Sequence, residues 1–227
     1  LHSTGDYEPF ARNLFVNALG PGMVVLDIGA HVGLYTIPSA RAVGDSGRVL
    51  AFEPHPGNRG LLERNIATNG LDNITVIPAA VSDREGQLDL HTSRFNTGDH
   101  RLYRSGGGEG VPTPVVSIDA ACRAEGITGV DLIKIDVQGA ELQVLRGMEE
   151  TLRTSPSVRL VLEYTPWMLE KAGVVPRDLL DWLVSRGFDL SILDETRGVR
   201  RPATRDQVMA ACPGRSYVNL LAARGEA

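Results

Sequence analysis

Four short apolar runs, each carrying an acidic residue near its end and each followed by a helical pattern, constrain this chain more than any other feature. They are "MVVLDIG" (23–29), "RVLAFEP" (48–54), "VDLIKIDV" (130–137) and "SVRLVLEY" (157–164). Runs this apolar suit strands buried on both faces, and helices between them call for a parallel sheet covered on both sides. The acids then fall at the carboxyl ends of the strands, where open α/β sheets bind their ligands.

The spacing predicts helices over 34–43, 58–69 and 118–125, with Gly70 as a C-terminal cap of the second. "NITVIPAAV" (73–81) reads as a further strand. Leu142, Leu145, Met148 and Leu152 form an apolar stripe at spacings of three and four, expected on one helix. A helix over 176–186 and the strands "FDLSIL" and "SYVNLLAA" close the chain, the last two joined by a polar connection and suited to an antiparallel pair at one edge. Between residues 84 and 116 the pattern changes: "GQLDLHT" alternates as a half-exposed strand does, a long polar loop follows, and "VPTPVVSID" is again extended. Loops this long inside a domain are usually functional. With no repeat and no linker, residues 1–227 are expected to form one domain, with 1–20 an N-terminal cover over the substrate and 84–116 an inserted hairpin and loop.

Composition narrows the partners. A net charge of −5 without a basic cluster argues against nucleic acid. No apolar run reaches the roughly 18–20 residues of a membrane span. The start, "LHSTGDYEPF", lacks the basic-then-apolar order of a signal peptide, and its first residue is leucine, as in a trimmed chain. Cys122 and Cys212 stand apart and near no histidine cluster, so reduced thiols in the cytoplasm and no metal site are expected.

The turn "DIGAHVG" supplies the first site. Asp27 sits at the strand tip, and Gly29 and Gly33 permit a tight turn and a close approach to a ligand. A pyrophosphate fingerprint would need glycine where His31 stands. Glu53, twenty residues beyond Gly33, is placed to accept hydrogen bonds from a ribose diol. A nucleoside cofactor without phosphates follows, and S-adenosylmethionine fits, with Asp27 facing its cationic amino-acid portion directly or through water. A nicotinamide-dependent oxidoreductase is the alternative, and the missing middle glycine argues against it. A nucleic-acid or protein methylase would want an N-P-P-Y type motif where this chain has "DVQG". A catalytically idle binding module would not need Asp27, Glu53 and Asp136 together.

The segments "GDYEPF", "VVLDIGAHVGLYT", "VLAFEPHPGNRGLLERNIATN", "DLIKIDVQGAELQVLRG" and "LVLEYTP" together resemble the FkbM-type methyltransferases, in order, from about residue 5 to 167. The resemblance implies the class I methyltransferase fold: a Rossmann-like, seven-stranded, mostly parallel sheet with an antiparallel last strand. It implies S-adenosylmethionine as methyl donor, S-adenosylhomocysteine as product, and a small-molecule hydroxyl, often on a sugar or polyketide, as acceptor. Ala80 and Val81 join the cofactor set, with Asp136 as a candidate for holding the cofactor's amine. Two positions depart from the family pattern: His31 stands where Asn is usual and Gln138 where Glu is common.

In this fold the tips of strands one, four and five converge, which makes Asp136 and Glu163 candidates to meet the acceptor, with His100 of the long loop closing over them. A base that removes the hydroxyl proton would assist transfer. Asp136 has the alternative of capping the following helix, and Glu163 that of orienting substrate. Glu141 favours its helix N-terminus electrostatically and is also a substrate candidate. Tyr7, Glu8, Asn96, Gly98 and Tyr164 complete the expected substrate set, and Tyr103 and Trp167 offer further aromatic faces.

Overall fold

The computed structural model of the chain describes residues 8–91 and 110–225. Tyr7, Asn96, Gly98, His100 and Tyr103 therefore lie outside the described residues.

The chain opens with α1 (Pro9–Asn17), β1 (Val24–Ile28), α2 (Thr36–Val43), β2 (Arg48–Phe52), α3 (Pro56–Asn69) and β3 (Ile74–Ile77). Next come β4 (Ala80–Val81), β5 (Gly86–His91) and β6 (Gly110–Val116), then α4 (Ile118–Ala124), β7 (Leu132–Ile135), α5 (Glu141–Arg146), α6 (Glu149–Thr154) and β8 (Arg159–Tyr164). The chain finishes with α7 (Pro166–Lys171), α8 (Pro176–Ser185), β9 (Asp189–Asp194), β10 (Val199–Pro202), α9 (Arg205–Ala210) and β11 (Val218–Ala223).

The main sheet runs β10-β9-β11-β8-β7-β1-β2-β3, and β4-β6-β5 form a second, smaller sheet. Strands β3, β2, β1, β7 and β8 run parallel to one another, while β11 is antiparallel to both β8 and β9. Strand β11 is thus inside the sheet rather than at its edge. The edge belongs to β10, a short exposed strand hairpinned onto β9 that the sequence reading did not separate from the connection.

Alternation along the buried strands sends side chains to two cores. Leu26, Ile28, Ile133, Ile135, Leu160, Leu162 and Tyr164 point to one, under α4, α5 and α8. Val25, Leu132, Val161 and Leu221 point to the other, with Ala11 and Phe15 of α1. Period two then places Asp27, Lys134, Glu163 and Asn219 on this second face, at its carboxyl end.

Several expected elements are divided, each for a local reason. The strand expected over 73–81 breaks at Pro78, which has no N–H to donate; Ala79 N–H instead closes on Ile77 O at 2.9 Å, and β4 joins the second sheet. The stripe over 142–152 is carried by two helices. At Gly147 a Cβ would lie 2.2 Å from Ser82 O, and Asp119 of α4 accepts from the N–H groups of Glu150 and Thr151 at 3.0 and 2.8 Å to start α6. The polar connection before β11 contains α9, opened by a Thr204/Gln207 capping box. Within the expected N-terminal segment, residues 9–17 are helical. They form α1, which buries Ala11 and Phe15 and whose Phe10 and Ala11 N–H groups donate to the Glu195 carboxylate at 2.9 and 2.7 Å.

Candidate active site

At the tip of β1, Asp27 is 1% exposed. Its Oδ2 accepts from Thr36 Oγ1 at 2.5 Å, and its Oδ1 is buried with no hydrogen-bond partner among the described residues. Burial pushes its carboxyl above the ordinary range, and nearby Lys134 opposes that shift. An unpartnered buried carboxylate oxygen is costly unless a donor reaches it.

Glu53, one residue past β2, is held by two backbone donors, Oε2 accepting from His31 N–H and Oε1 from His55 N–H, both at 2.9 Å, with the Asn58 side chain also beside it. The carboxylate keeps acceptor capacity for a further donor. Burial raises its pKa to about 7. The two glycines of the turn have reasons in packing. A Cβ at Gly29 would lie 2.0 Å from Asp136 O, and one at Gly33 would lie 2.8 Å from Leu62 Cδ1 of α3.

His31 does more than break a fingerprint. Its backbone is left-handed, with φ 51°, which aims its N–H at Glu53. The non-glycine residues with positive φ among the described residues are Glu8, His31 and Gln138, all at this end of the sheet. Such strain collects at functional sites.

Lys134 of β7 and Asp136 just past it make an ion pair of 3.1 Å, with Lys134 Nζ also 3.5 Å from Gly29 O and 5.1 Å from the centre of the Tyr35 ring. Burial disfavours the charged lysine, but Asp136, Asp27 and Glu8 together hold its pKa above the ordinary value. Gln138 Nε2 donates to Asp136 Oδ1 at 2.8 Å and to Glu163 Oε1 at 3.3 Å. Glu163 Oε1 also accepts from Thr165 Oγ1 at 2.8 Å. Burial, with the charge of Asp136 next, raises Glu163 to about 8. Asn219 of β11 stands beside Glu163 in register. Glu8 is buried, with Oε1 unpartnered among the described residues and its pKa raised chiefly by burial.

The structure therefore brings together Asp27, Glu53, His31, Asp136, Glu163 and Glu8 at one end of the sheet. Other expected residues stand elsewhere. Tyr164 is fully buried on the opposite face from Glu163, packed in the larger core, because adjacent strand residues point oppositely; it presents no ring to an acceptor. Glu141 is 1% exposed and accepts from Gly139 N–H through both oxygens, at 3.0 and 3.1 Å, with burial raising it to about 7. It braces the turn that carries Gln138. Ala80 and Val81 are buried in β4, Val81 within the larger core. The sequence reading missed Lys134. Its signal was a lysine inside an otherwise apolar buried strand, two residues before an aspartate on the same face.

Apart from the added edge strand β10, the sheet order, with antiparallel β11 set between β8 and β9 and acids at the tips of β1, β2, β7 and β8, is that of the class I methyltransferases. The model of the Methyltransferase FkbM domain matches residues 27–190. The chain belongs to the FkbM family of S-adenosylmethionine-dependent methyltransferases. It is 30% identical over 202 residues to the 2-O-methyltransferase NoeI of Sinorhizobium fredii, covering 79% of this chain and 77% of that protein. It is 28% identical over 198 residues to the methyltransferase sdnD of Sordaria araneosa, covering 74% of each. The crystal structure of the methyltransferase FkbM from Methylobacillus flagellatus aligns with a TM-score of 0.55 and 16% identity, over 93% of this chain and 50% of that one, a likeness of fold. The nicotinamide alternative falls with this membership.

The residues fit the cofactor. Among the described residues Asp27 Oδ1 lacks a donor where a cationic amino-acid portion would supply one, and the Glu53 carboxylate, fixed by the His31 and His55 N–H groups, keeps acceptor capacity. Among the described residues no cluster of His, Cys, Asp and Glu could hold a metal ion, and no helix is long and apolar enough to cross a membrane.

Proposed function

We propose that this chain methylates a hydroxyl oxygen of a small molecule, a sugar or a natural-product glycoside or polyketide, with Glu163 as the base. The observation that carries this reading is the Asp136–Gln138–Glu163 arrangement beside the cofactor acids. NoeI is by name a 2-O-methyltransferase, which supports oxygen as the acceptor atom.

When bound, S-adenosylmethionine supplies a methyl group made electrophilic by its sulfonium. Asp27 holds the amino-acid portion of that cofactor and Glu53 the ribose. At the acceptor side, Asp136 has both oxygens engaged, by Lys134 and by Gln138. Glu163 has Oε1 engaged twice, while none of the described residues bonds Oε2. Glu163 Oε2 takes the proton from the acceptor hydroxyl, and a carboxyl raised to about 8 is matched to that task near neutral pH. Asp136 orients the hydroxyl. Glu8 faces the acceptor side, while the expected substrate residues Tyr7, Asn96, Gly98 and His100 lie outside the described residues.

Radiolabelled methyl transfer to a panel of glycosides, free sugars and polyketides tests the reading. Product should carry the methyl group on oxygen. Turnover should rise with pH up to about 8 and above, and E163Q should lose that rise together with at least a hundredfold in rate, general-base catalysis contributing about 10²–10⁴-fold. An E163Q enzyme with parental turnover would sink Glu163 as the base.

A further inference from the structure

We propose that Gln138 is a positioning residue: its side-chain amide binds Asp136 and Glu163 at once, fixing them as a pair and leaving Glu163 Oε2 as the oxygen open to an acceptor. This rests on the reading of Glu163 given above. The geometry is specific. One Nε2 group lies 2.8 Å from Asp136 Oδ1 and 3.3 Å from Glu163 Oε1, so each of its two N–H bonds has a carboxyl oxygen to meet. The opposite amide orientation would set a carbonyl oxygen against two carboxyl oxygens, so the network admits only this one.

The fold spends strain to place that amide. Gln138 is left-handed, with φ 53°, a conformation costing about 1 kcal/mol or more outside glycine. The next residue, Gly139, has φ 103° and is clamped through its N–H to both oxygens of Glu141. The turn after β7 is thereby fixed from both sides, and the amide reaches across to the tip of β8.

The consequence is electrostatic. Glu163 is faced by Asp136 from the end of β7, Glu8 from the approach to α1 and Glu141 from the start of α5, all acids. Lys134 reaches this group through its pair with Asp136, and Asn219 on β11 and Thr165 after β8 are neutral. Gln138 is then the neutral donor between the two closest carboxyls. A donor to the ionised form favours it, and a third carboxylate in the same place would disfavour it through like charge.

The test compares Q138E, Q138A and the parent. In the cofactor-free protein, ¹³C NMR follows the Glu163 carboxyl through its titration, the signal being identified by its absence in E163Q. The midpoint should move up by about one pH unit in Q138E, which loses the donor and gains a charge, and by less in Q138A. The pH–rate profile should move with it, so that Q138E turns over about tenfold slower on the acid limb and recovers at higher pH. Thermal melting and S-adenosylhomocysteine affinity report that the variants are folded with an intact cofactor site. A folded Q138E protein whose Glu163 titrates as in the parent overturns the bridge, even if E163Q is inactive. A fully active E163Q overturns Glu163 as base instead, and the carboxyl titration still decides the bridge.

Discussion

Gly29 and Asp136 touch backbone to backbone: a Cβ on Gly29 would stand 2.0 Å from the Asp136 carbonyl oxygen. Gly29 also has φ +84°, and its neighbour strand is tied down by the bond from Asp136 N–H to Ile28 O at 3.0 Å. Neither partner can yield without moving a central strand. G29A should therefore destabilise the protein by more than about 3 kcal/mol, beyond the usual range for a point substitution. Urea denaturation measures this, and a loss under about 1 kcal/mol would show that the two strand ends are not locked together.

The orphaned Oδ1 of Asp27 makes its own prediction. D27N keeps the shape and an acceptor for Thr36 but removes the charge. Hydrogen bonds to charged groups are worth about 1.5–3 kcal/mol, so S-adenosylhomocysteine affinity should fall about 10- to 150-fold in calorimetry. Unchanged affinity would remove Asp27 from the cofactor site.

Lys134 is the one cation within this group of buried acids among the described residues, and its side chain is 8% exposed. Removing one partner of a buried pair leaves an uncompensated charge at a cost of about 3–5 kcal/mol. K134M should lose about that much in chemical denaturation, and K134M/D136N should lose less than the two single variants summed. Additive losses would mean that the pair does not couple.

The raised buried carboxyls, Asp27 and Glu8 among them, set a pH dependence of stability. Glu53 and Glu141 are raised to about 7 and Glu163 to about 8, from an ordinary value of 4.5. The folded state thus binds these protons more tightly than the unfolded chain. Their contribution is complete below about pH 4.5 and is lost as pH rises through 7 to 8. The melting temperature of the cofactor-free protein should decline between about pH 5 and pH 8.5, and E163Q should flatten the upper part of that decline. An E163Q protein with the parental slope would contradict the raised Glu163.

Much of this was legible because it is local. Asp27, Glu53, Asp136 and Glu163 were visible as acids at the ends of apolar runs, and a run's end is written in adjacent residues. Thr204 and Gln207 carried the capping signal of α9, which could have been read from their spacing. Tyr164 could have been assigned too, since it follows Glu163 and must face the other way. Lys134 was harder, because a lysine in an apolar run gives no sign of which charges await it across the sheet.

The sequence by itself determined the alternation of strands and helices and the carboxyl ends at which the site forms. Period two and period 3.6 are properties of the local chain, and they survive without knowledge of what packs where. Tertiary structure decided the rest. It set Lys134 between Asp136 and Asp27, brought Glu8 to the same cluster of charges, tied the start of α1 to Glu195, and spanned β7 and β8 with the amide of Gln138. Those relations depend on sheet order and register across long stretches of chain, and only burial gives the charges their weight.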